Sequence, residues 1–325
     1  MQHGSGLNFQ KLFLFPFFKR LVIAAALAVL WTPAGAQDDF LVFDDFSGAE
    51  FATESSDLDV GYVPTPLHVV KEILSLGNVG PDDFLIDLGS GDGRIVIVAA
   101  KKYGTRGLGV DLNTKLVELS RKYARDNGVS DRTTFIVQNI FSTDISRASV
   151  VTMYLLPDVN LKLRPKLIKE LKPGTRLVSY NYHLGDWRPD ETIFIEKLTA
   201  DDDAIIYLWI IPAKIAGNWH WRMDLGIETH DFNLQIRQHF QDISGSTQLR
   251  GRQWPLLNPS LKGNRIGFTL VSESGGRMIR QDYAGTVKGD MITGTVRLSG
   301  ATNASQMPWT ALRRTQRVML QKPAP

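Results

Sequence analysis

The segment that most constrains the fold is a glycine-rich turn, Asp87-Leu88-Gly89-Ser90-Gly91-Asp92-Gly93-Arg94. The apolar run 84–88 before the turn predicts a buried strand, and residues 94–103 after it have helical spacing. A strand that enters a helix through such a turn brings backbone N–H groups close to a ligand at the positive end of the helix. The turn therefore predicts a ligand site at the edge of a Rossmann-like sheet.

The residues around this turn alternate between short apolar runs and helical patterns. Thr65, as a cap, and Pro66, at the first helical position, predict a helix that ends near Gly77. Strands are then predicted at 84–88, 107–111, 134–138, 150–154 and 176–180, and helices at 94–103, 114–127 and 159–171. Such alternation predicts a parallel sheet with helices on both faces. Two further strands, 193–198 and 204–211, have only a short turn between them and must pair antiparallel. The α/β domain is expected to span residues 60–213.

The pattern changes after Pro212. Residues 217–325 show alternating apolar positions with frequent glycine and serine, which predicts a small antiparallel β-barrel or sandwich of unknown role. The segment Gly217-Asn218-Trp219 and a late arginine, Arg313 or Arg314, are similar to lipocalin-like barrels, in which arginine stacks on tryptophan. A structural barrel without a ligand is the favoured interpretation.

The first 36 residues have the pattern of a signal peptide. Lys19 and Arg20 precede the apolar run 21–31, and Ala34-Gly35-Ala36 provides small residues for cleavage. We expect cleavage near Ala36 and a periplasmic or envelope-associated protein. An uncleaved anchor is the alternative, because residues 12–18 are also apolar. Residues 37–59 follow as an acidic arm without a basic residue.

The charge balance argues against a nucleic-acid partner. The chain has 37 basic and 34 acidic residues, and Lys11, Lys19 and Arg20 lie within the signal peptide. The remainder is neutral, whereas nucleic-acid binding draws its affinity from a concentrated basic face. The chain has no cysteine and no His or carboxylate cluster at metal-ligand spacing, so neither disulfides nor a metal site are expected.

The acidic residue before the glycine turn distinguishes between cofactors. The carboxylate of Asp87 would repel the pyrophosphate of a dinucleotide but attract the ammonium and sulfonium of S-adenosylmethionine. Asp111 is the last residue of the second predicted strand, where a carboxylate can accept hydrogen bonds from both ribose hydroxyls. The alternatives are that Asp87 caps the turn and that Asp111 caps the next helix. Together the two residues favour S-adenosylmethionine over NAD.

Three segments resemble class I S-adenosylmethionine-dependent methyltransferases. They are Tyr62-Val63-Pro64-Thr65-Pro66, the turn with its flanks from Leu85 to Val96, and Tyr154-Leu155-Leu156-Pro157. More narrowly, they are similar to exported bacterial members and to the mitochondrial protein-lysine methyltransferases of the ATP synthase c-subunit and adenine nucleotide translocase. The resemblance covers residues 60–211. It implies the strand order 3-2-1-4-5-7-6, with strand 7 antiparallel.

The same resemblance implies a set of cofactor-binding residues. They are Tyr62, Thr65, Asp87, Gly89, Ser90, Gly91, Gly93, Asp111, Asn139 and Tyr154. Tyr62 and Thr65 would form a lid, and Asp111 would hold the ribose. Asn139 stands where these families usually have an aspartate that accepts from the adenine amino group. An amide oxygen can still accept, so weaker binding is expected.

The expected reaction is an in-line methyl transfer, which needs alignment, exclusion of water and a nucleophile with a free lone pair. Asp158, His183 and Tyr62 are the candidates to assist deprotonation of an amine, by hydrogen bonding or as a base. The acceptor is expected to be a protein amine, with lysine favoured, and a small molecule is the alternative. A second hypothesis is a non-catalytic S-adenosylmethionine-binding or scaffold protein of the cell envelope.

Overall fold

Two β-sheets contain most of the described chain, and helices cover the first of them. The computed structural model describes residues 41–43, 62–195, 204–225, 228–249, 251–300 and 305–314. The helices are α1 (Leu67–Leu76), α2 (Arg94–Tyr103), α3 (Thr114–Asp126) and α4 (Pro157–Glu170). The strands of the first sheet are β1 (Phe84–Leu88), β2 (Arg106–Asp111), β3 (Thr133–Val137), β4 (Val150–Met153), β5 (Arg176–Tyr180), β6 (Glu191–Ile195) and β7 (Ala204–Ile210).

The strand order of the first sheet is β3-β2-β1-β4-β5-β7-β6, which confirms the expected order. β1 pairs in parallel with β2 and β4, and β7 runs antiparallel to both β5 and β6. In the β1–β4 register, Asp87 lies beside Thr152. The carboxyl ends of β1, β2 and β4 consequently meet at one edge, next to the glycine turn.

The helix starts near this edge are only partly as expected. Thr65 does not cap α1, which begins at Leu67 after an extended Pro66 and has no side-chain cap. The Thr65 carbonyl instead accepts a hydrogen bond of 2.7 Å from Arg94. The side chain of Asn113 caps α3 by accepting from the backbone N–H of Lys115.

The second sheet has nine antiparallel strands in the order β11-β10-β9-β8-β16-β15-β14-β13-β12. These strands are β8 (Gly217–Asp224), β9 (Thr229–His239), β10 (Asp242–Leu249), β11 (Arg252–Pro255), β12 (Leu257–Lys262), β13 (Arg265–Ser274), β14 (Arg277–Lys288), β15 (Met291–Ser299) and β16 (Ser305–Arg313). The edge strands β11 and β12 are consecutive in the chain, and the N–H of Leu256 between them donates to Gly245 on β10. The sheet is therefore a nearly closed barrel.

Aromatic side chains fill the interior of the barrel. The Trp221 ring stacks on Phe232 at a centroid distance of 5.0 Å and meets the edge of Trp309 at 5.6 Å. Tyr283 and Phe268 complete the cluster with a stacked pair at 4.7 Å. Edge-to-face and offset contacts of this kind stabilise a core beyond simple burial.

The arginine expected to close the barrel is Arg313. Its guanidinium lies 4.5 Å from the ring centroid of Trp219, which confirms the predicted stack. Arg313 also donates to the carbonyls of Lys214 and Ala216 and forms an ion pair with Asp290. One planar side chain thus joins the start of β8, the end of β16 and the segment that links the two sheets.

Substituting Arg313→Lys is expected to lower the free energy of unfolding by about 1–2 kcal/mol, because an ammonium cannot keep both the stack and the forked hydrogen bonds. Urea denaturation measures this change. Arg314→Lys is the matched control. Arg314 is exposed, and it donates to the Asn218 carbonyl through its backbone N–H, which the substitution keeps. Equal destabilisation by the two variants would contradict the assignment.

The tip of the β9–β10 hairpin packs against the loop between β5 and β6. The buried Trp187 ring stacks on Phe240 at 5.2 Å, and its Nε1 donates to Gln241 at 2.9 Å. Gln241 Nε2 donates to the carbonyl of Arg188. The barrel therefore contacts the same loop that reaches the carboxyl edge of the first sheet. The expected domain boundary between residues 213 and 217 stays a prediction.

The amino-terminal expectations fall mainly outside the described residues. The signal peptide at 1–36 and most of the acidic arm at 37–59 lie there. Two described residues of the arm contact α3 and its end. Val42 forms two hydrogen bonds with Asn127, and the ring centroids of Phe43 and Tyr123 are 5.3 Å apart. Within the described ranges, no helix has the length and hydropathy to cross a membrane.

Candidate active site

A cavity of about 410 Å³ lies at the carboxyl edge of the first sheet. Its volume falls within the roughly 300–1,000 Å³ that small-molecule sites occupy. The predicted residues that line it are Tyr62, Thr65, Asp87, Gly89, Ser90, Gly91, Asp111, Asn139 and Tyr154. Residues from distant parts of the sequence therefore meet around one space, although their contacts to a cofactor stay a prediction.

Three predicted residues lie elsewhere. Gly93 is below the turn, where an added Cβ would lie 2.6 Å from Phe135, so this glycine allows α2 to approach the sheet. Asp158, in the first turn of α4, and His183, after β5, are both exposed and are not among the cavity-lining residues. The Nδ1 of His183 accepts from the N–H of Gly185. Their assistance in catalysis stays a prediction.

Tyr62 covers the glycine turn. Gly91 has a φ of +52°, and an added Cβ would lie 2.5 Å from Tyr62 Cε2. The absence of a side chain at this position thus permits the ring of Tyr62 to lie on the turn. The Gly91 N–H donates to Asp111 Oδ2 at 2.9 Å, which ties the turn to the end of β2.

The side chains of Asp111 and Asn139 are held by backbone donors. Asp111 Oδ1 accepts from the N–H of Asn113 at 2.9 Å, and Asn139 Oδ1 accepts from the N–H of Phe141 at 2.8 Å. Each oxygen retains a second lone pair, which suits ribose hydroxyls at Asp111 and an amino group at Asn139. The half-exposed Phe141 ring lines the same end of the cavity and offers a flat apolar surface to a base.

Asp87 is a buried carboxylate at the bottom of the cavity. Only 2% of its surface is exposed, and Oδ1 accepts a hydrogen bond of 2.7 Å from the Thr152 hydroxyl. Burial, together with the negative charges of Asp111 and Asp92, raises the pKa of Asp87 to about 7, although the Thr152 hydrogen bond lowers it. A cationic ligand would offset both effects, so the site fits the ammonium and sulfonium of S-adenosylmethionine.

Asp92 and Arg94 are cavity residues that the sequence did not single out. Arg94 Nη2 pairs with Asp92 Oδ2 at 2.6 Å, and Arg94 Nη1 donates to the Thr65 carbonyl. Burial and the nearby charge of Asp92 raise the pKa of Tyr62, so its phenol stays neutral at physiological pH and suits hydrogen bonding better than base action. The sequence signal that could have identified Asp92 and Arg94 is their position within the glycine turn itself.

Tyrosines form the cavity wall beyond Asp87. Tyr154 and Tyr182 both line the cavity, and their nearly parallel rings have centroids 6.3 Å apart. The Tyr182 carbonyl accepts from Ser179 Oγ at 2.7 Å and from Asn160 Nδ2 at 3.2 Å. Side chains of β5 and α4 therefore fix the position at which Tyr182 enters the cavity.

The rim of the cavity is apolar. Val63, Leu112, Phe141 and Leu156 all line the cavity and are among the exposed large hydrophobic residues. Of the charged residues that line it, Asp87, Asp92 and Arg94 are buried or nearly so. An acceptor thus meets an apolar rim before it reaches the polar interior.

Comparisons with known proteins identify relatives of this chain. Residues 87–191 match the model of the ANTKMT methyltransferase domain. A protein-lysine N-methyltransferase of Saccharolobus islandicus is 44% identical over 153 residues, which cover 47% of this chain and 94% of that protein. An ATP synthase c-subunit lysine N-methyltransferase of Xenopus laevis is 36% identical over 129 residues, or 40% of this chain. The chain spans 56% of the length of that second relative.

Among solved structures, an RNA methyltransferase from Salinibacter ruber in complex with S-adenosyl-L-homocysteine is 48% identical. The similarity covers 47% of this chain and 96% of that one, with a TM-score of 0.44.

Proposed function

Because this chain belongs to the S-adenosylmethionine-dependent methyltransferases, in the family of the archaeal protein-lysine N-methyltransferase, we propose that it methylates lysine side chains of proteins. The observation that carries the proposal is the pair of tyrosines, Tyr154 and Tyr182, at the inner wall of the cavity. Aromatic faces attract an ammonium group and guide an aliphatic amine. The name of the archaeal relative supports the same acceptor.

The residues of this chain have separate tasks in that reaction. When bound, the cofactor would supply an electrophilic methyl group: the acceptor nitrogen bonds to the methyl carbon in line as its bond to sulfur breaks, and the sulfonium leaves as a neutral thioether. Asp87 would bind its cationic end, Asp111 its ribose and Asn139 its adenine. Tyr62 and Leu155, which both line the cavity, would exclude water from the reacting groups.

The lysine must lose a proton before it can attack. Proximity to a positive charge and partial desolvation both lower the pKa of an amine, so the free base becomes accessible near neutral pH. The neutral phenol of Tyr62 can accept a hydrogen bond from the amine and orient its lone pair. The proton then leaves to solvent, and Asp158 and His183, which are exposed and lie outside the cavity lining, remain the candidates to accept it.

We further propose that the mature protein acts in the cell envelope. The support is the sequence of residues 1–36, with its charged start, apolar run and Ala34-Gly35-Ala36 site. The acceptor would then be an envelope protein.

Incubation of mature protein with methyl-labelled S-adenosylmethionine and fractionated envelope extract tests this proposal. Label is expected in protein and, after hydrolysis, in methylated lysine. The matched control is Asp87→Asn, which keeps the side-chain shape but removes the charge expected to bind the cofactor. Label confined to RNA, lipid or small molecules would contradict the lysine assignment.

A further inference from the structure

Thr152 is a buried residue on β4 that the sequence did not connect with the site. It lies beside Asp87 in the β1–β4 register, and only 1% of its surface is exposed. Its hydroxyl donates to Asp87 Oδ1 at 2.7 Å. Among the described residues, no other side chain forms a hydrogen bond with the Asp87 carboxylate, so Oδ2 is left for a ligand.

The surroundings of Asp87 otherwise oppose its ionisation. Desolvation is the largest effect, and the carboxylates of Asp111 on β2 and Asp92 in the glycine turn add repulsion. The nearby cation, Arg94, is engaged with Asp92 and with the Thr65 carbonyl. The Thr152 hydroxyl is the neutral donor that favours the charged form.

We propose that Thr152 is a positioning residue for cofactor capture: its hydroxyl holds Oδ1 of Asp87 and leaves Oδ2 to receive the cationic end of S-adenosylmethionine. The role concerns binding of the cofactor and does not depend on the identity of the methyl acceptor. It acts through Asp87, since Thr152 itself is not among the cavity-lining residues.

The direction of the pH effect follows from the charge of the ligand. The cofactor binds the ionised form of Asp87, so affinity rises with pH until Asp87 is fully ionised in the free protein. With a pKa of about 7, the affinity of the native protein should fall towards tenfold per pH unit below pH 6 and level off above pH 8. Loss of the Thr152 hydrogen bond raises that pKa and moves the whole profile to higher pH.

Calorimetric titration of S-adenosylmethionine from pH 6 to 8.5 tests the proposal with Thr152→Val, which removes the hydroxyl and keeps the shape. We expect roughly tenfold weaker binding at pH 7, since a hydrogen bond to a charged group shifts a pKa by about one unit or more. The difference in affinity between the native protein and Thr152→Val should become smaller as the pH rises. Binding in buffers of different ionisation enthalpy should also show greater proton release by the variant at pH 7.

Two control variants separate positioning from packing. Thr152→Ser retains a hydroxyl and should restore the native pH profile. Thr175→Val removes another buried hydroxyl, which donates to the Ala148 carbonyl away from the cavity, and should leave the profile unchanged. Affinity that falls by the same factor at every pH, or does not fall at all, would overturn the proposal.

Discussion

Gly91→Arg will abolish S-adenosylmethionine binding, with a loss of at least about 100-fold in affinity, or roughly 3 kcal/mol. Gly91 has a φ of +52°, which a side chain tolerates poorly, and an added Cβ would lie 2.5 Å from Tyr62. The longer arginine would enter the cavity, where its guanidinium would pair with the carboxylates of Asp87 and Asp111. It would thus occupy the positions that the cofactor needs.

The matched control is Gly128→Arg. Gly128 also has a positive φ, +70°, but nothing lies within 4 Å of an added Cβ there. Both variants place a side chain at a positive φ and add the same charge, so calorimetry on the pair isolates the effect at the cavity. Circular dichroism should show that both are folded. Equal affinity of the two variants for the cofactor would mean that the cavity is not the binding site.

Trp187→Ala will lower the free energy of unfolding by about 4 kcal/mol, since truncation of a fully buried tryptophan typically costs 3–5 kcal/mol. The Trp187 side chain is 0% exposed, stacks on Phe240 and donates to Gln241. Its loss leaves the Gln241 acceptor unpaired at the contact between the two sheets. Guanidinium denaturation, followed by far-UV circular dichroism, measures the change.

The same variant will become sensitive to trypsin after Lys214. In the native protein the backbone around this exposed lysine is protected, because Ala213 N–H donates to Gly263 and the Lys214 carbonyl accepts from Arg313. Trp254→Ala, at a partly buried tryptophan of the barrel, is the control and should remain resistant. Cleavage after Lys214 at equal rates in native and Trp187→Ala protein would show that the hairpin contact does not join the sheets.

Much of the fold could be predicted because its determinants are local. Apolar runs bounded by turns identify β1 to β7, and the short turn before β7 requires an antiparallel partner. The glycine turn with Asp87 before it indicates a cationic cofactor from charge alone. Asp111 ends β2 and Asn139 lies two residues after β3, so the parallel arrangement suffices to bring them to the same edge.

Other features depend on the register and packing of distant segments. Nothing local distinguishes Arg313 from Arg314, yet it is Arg313 that stacks on Trp219. Asp158 and His183 lie near the site in sequence, but the start of α4 and the β5–β6 loop leave them exposed.

The alternation of strands and helices, the cationic character of the cofactor and the change to an all-β unit follow from the sequence alone, since periodicity, turn residues and charge act over a few residues. The strand order was implied by the resemblance to the methyltransferase family. Tertiary structure decided that Thr152 meets Asp87, that Tyr182 enters the cavity and that a barrel hairpin packs on the β5–β6 loop. These contacts arise where strands 65 residues apart come into register or where separate sheets bury a shared aromatic surface. Such contacts are set by the packing of the whole chain, which no local pattern encodes.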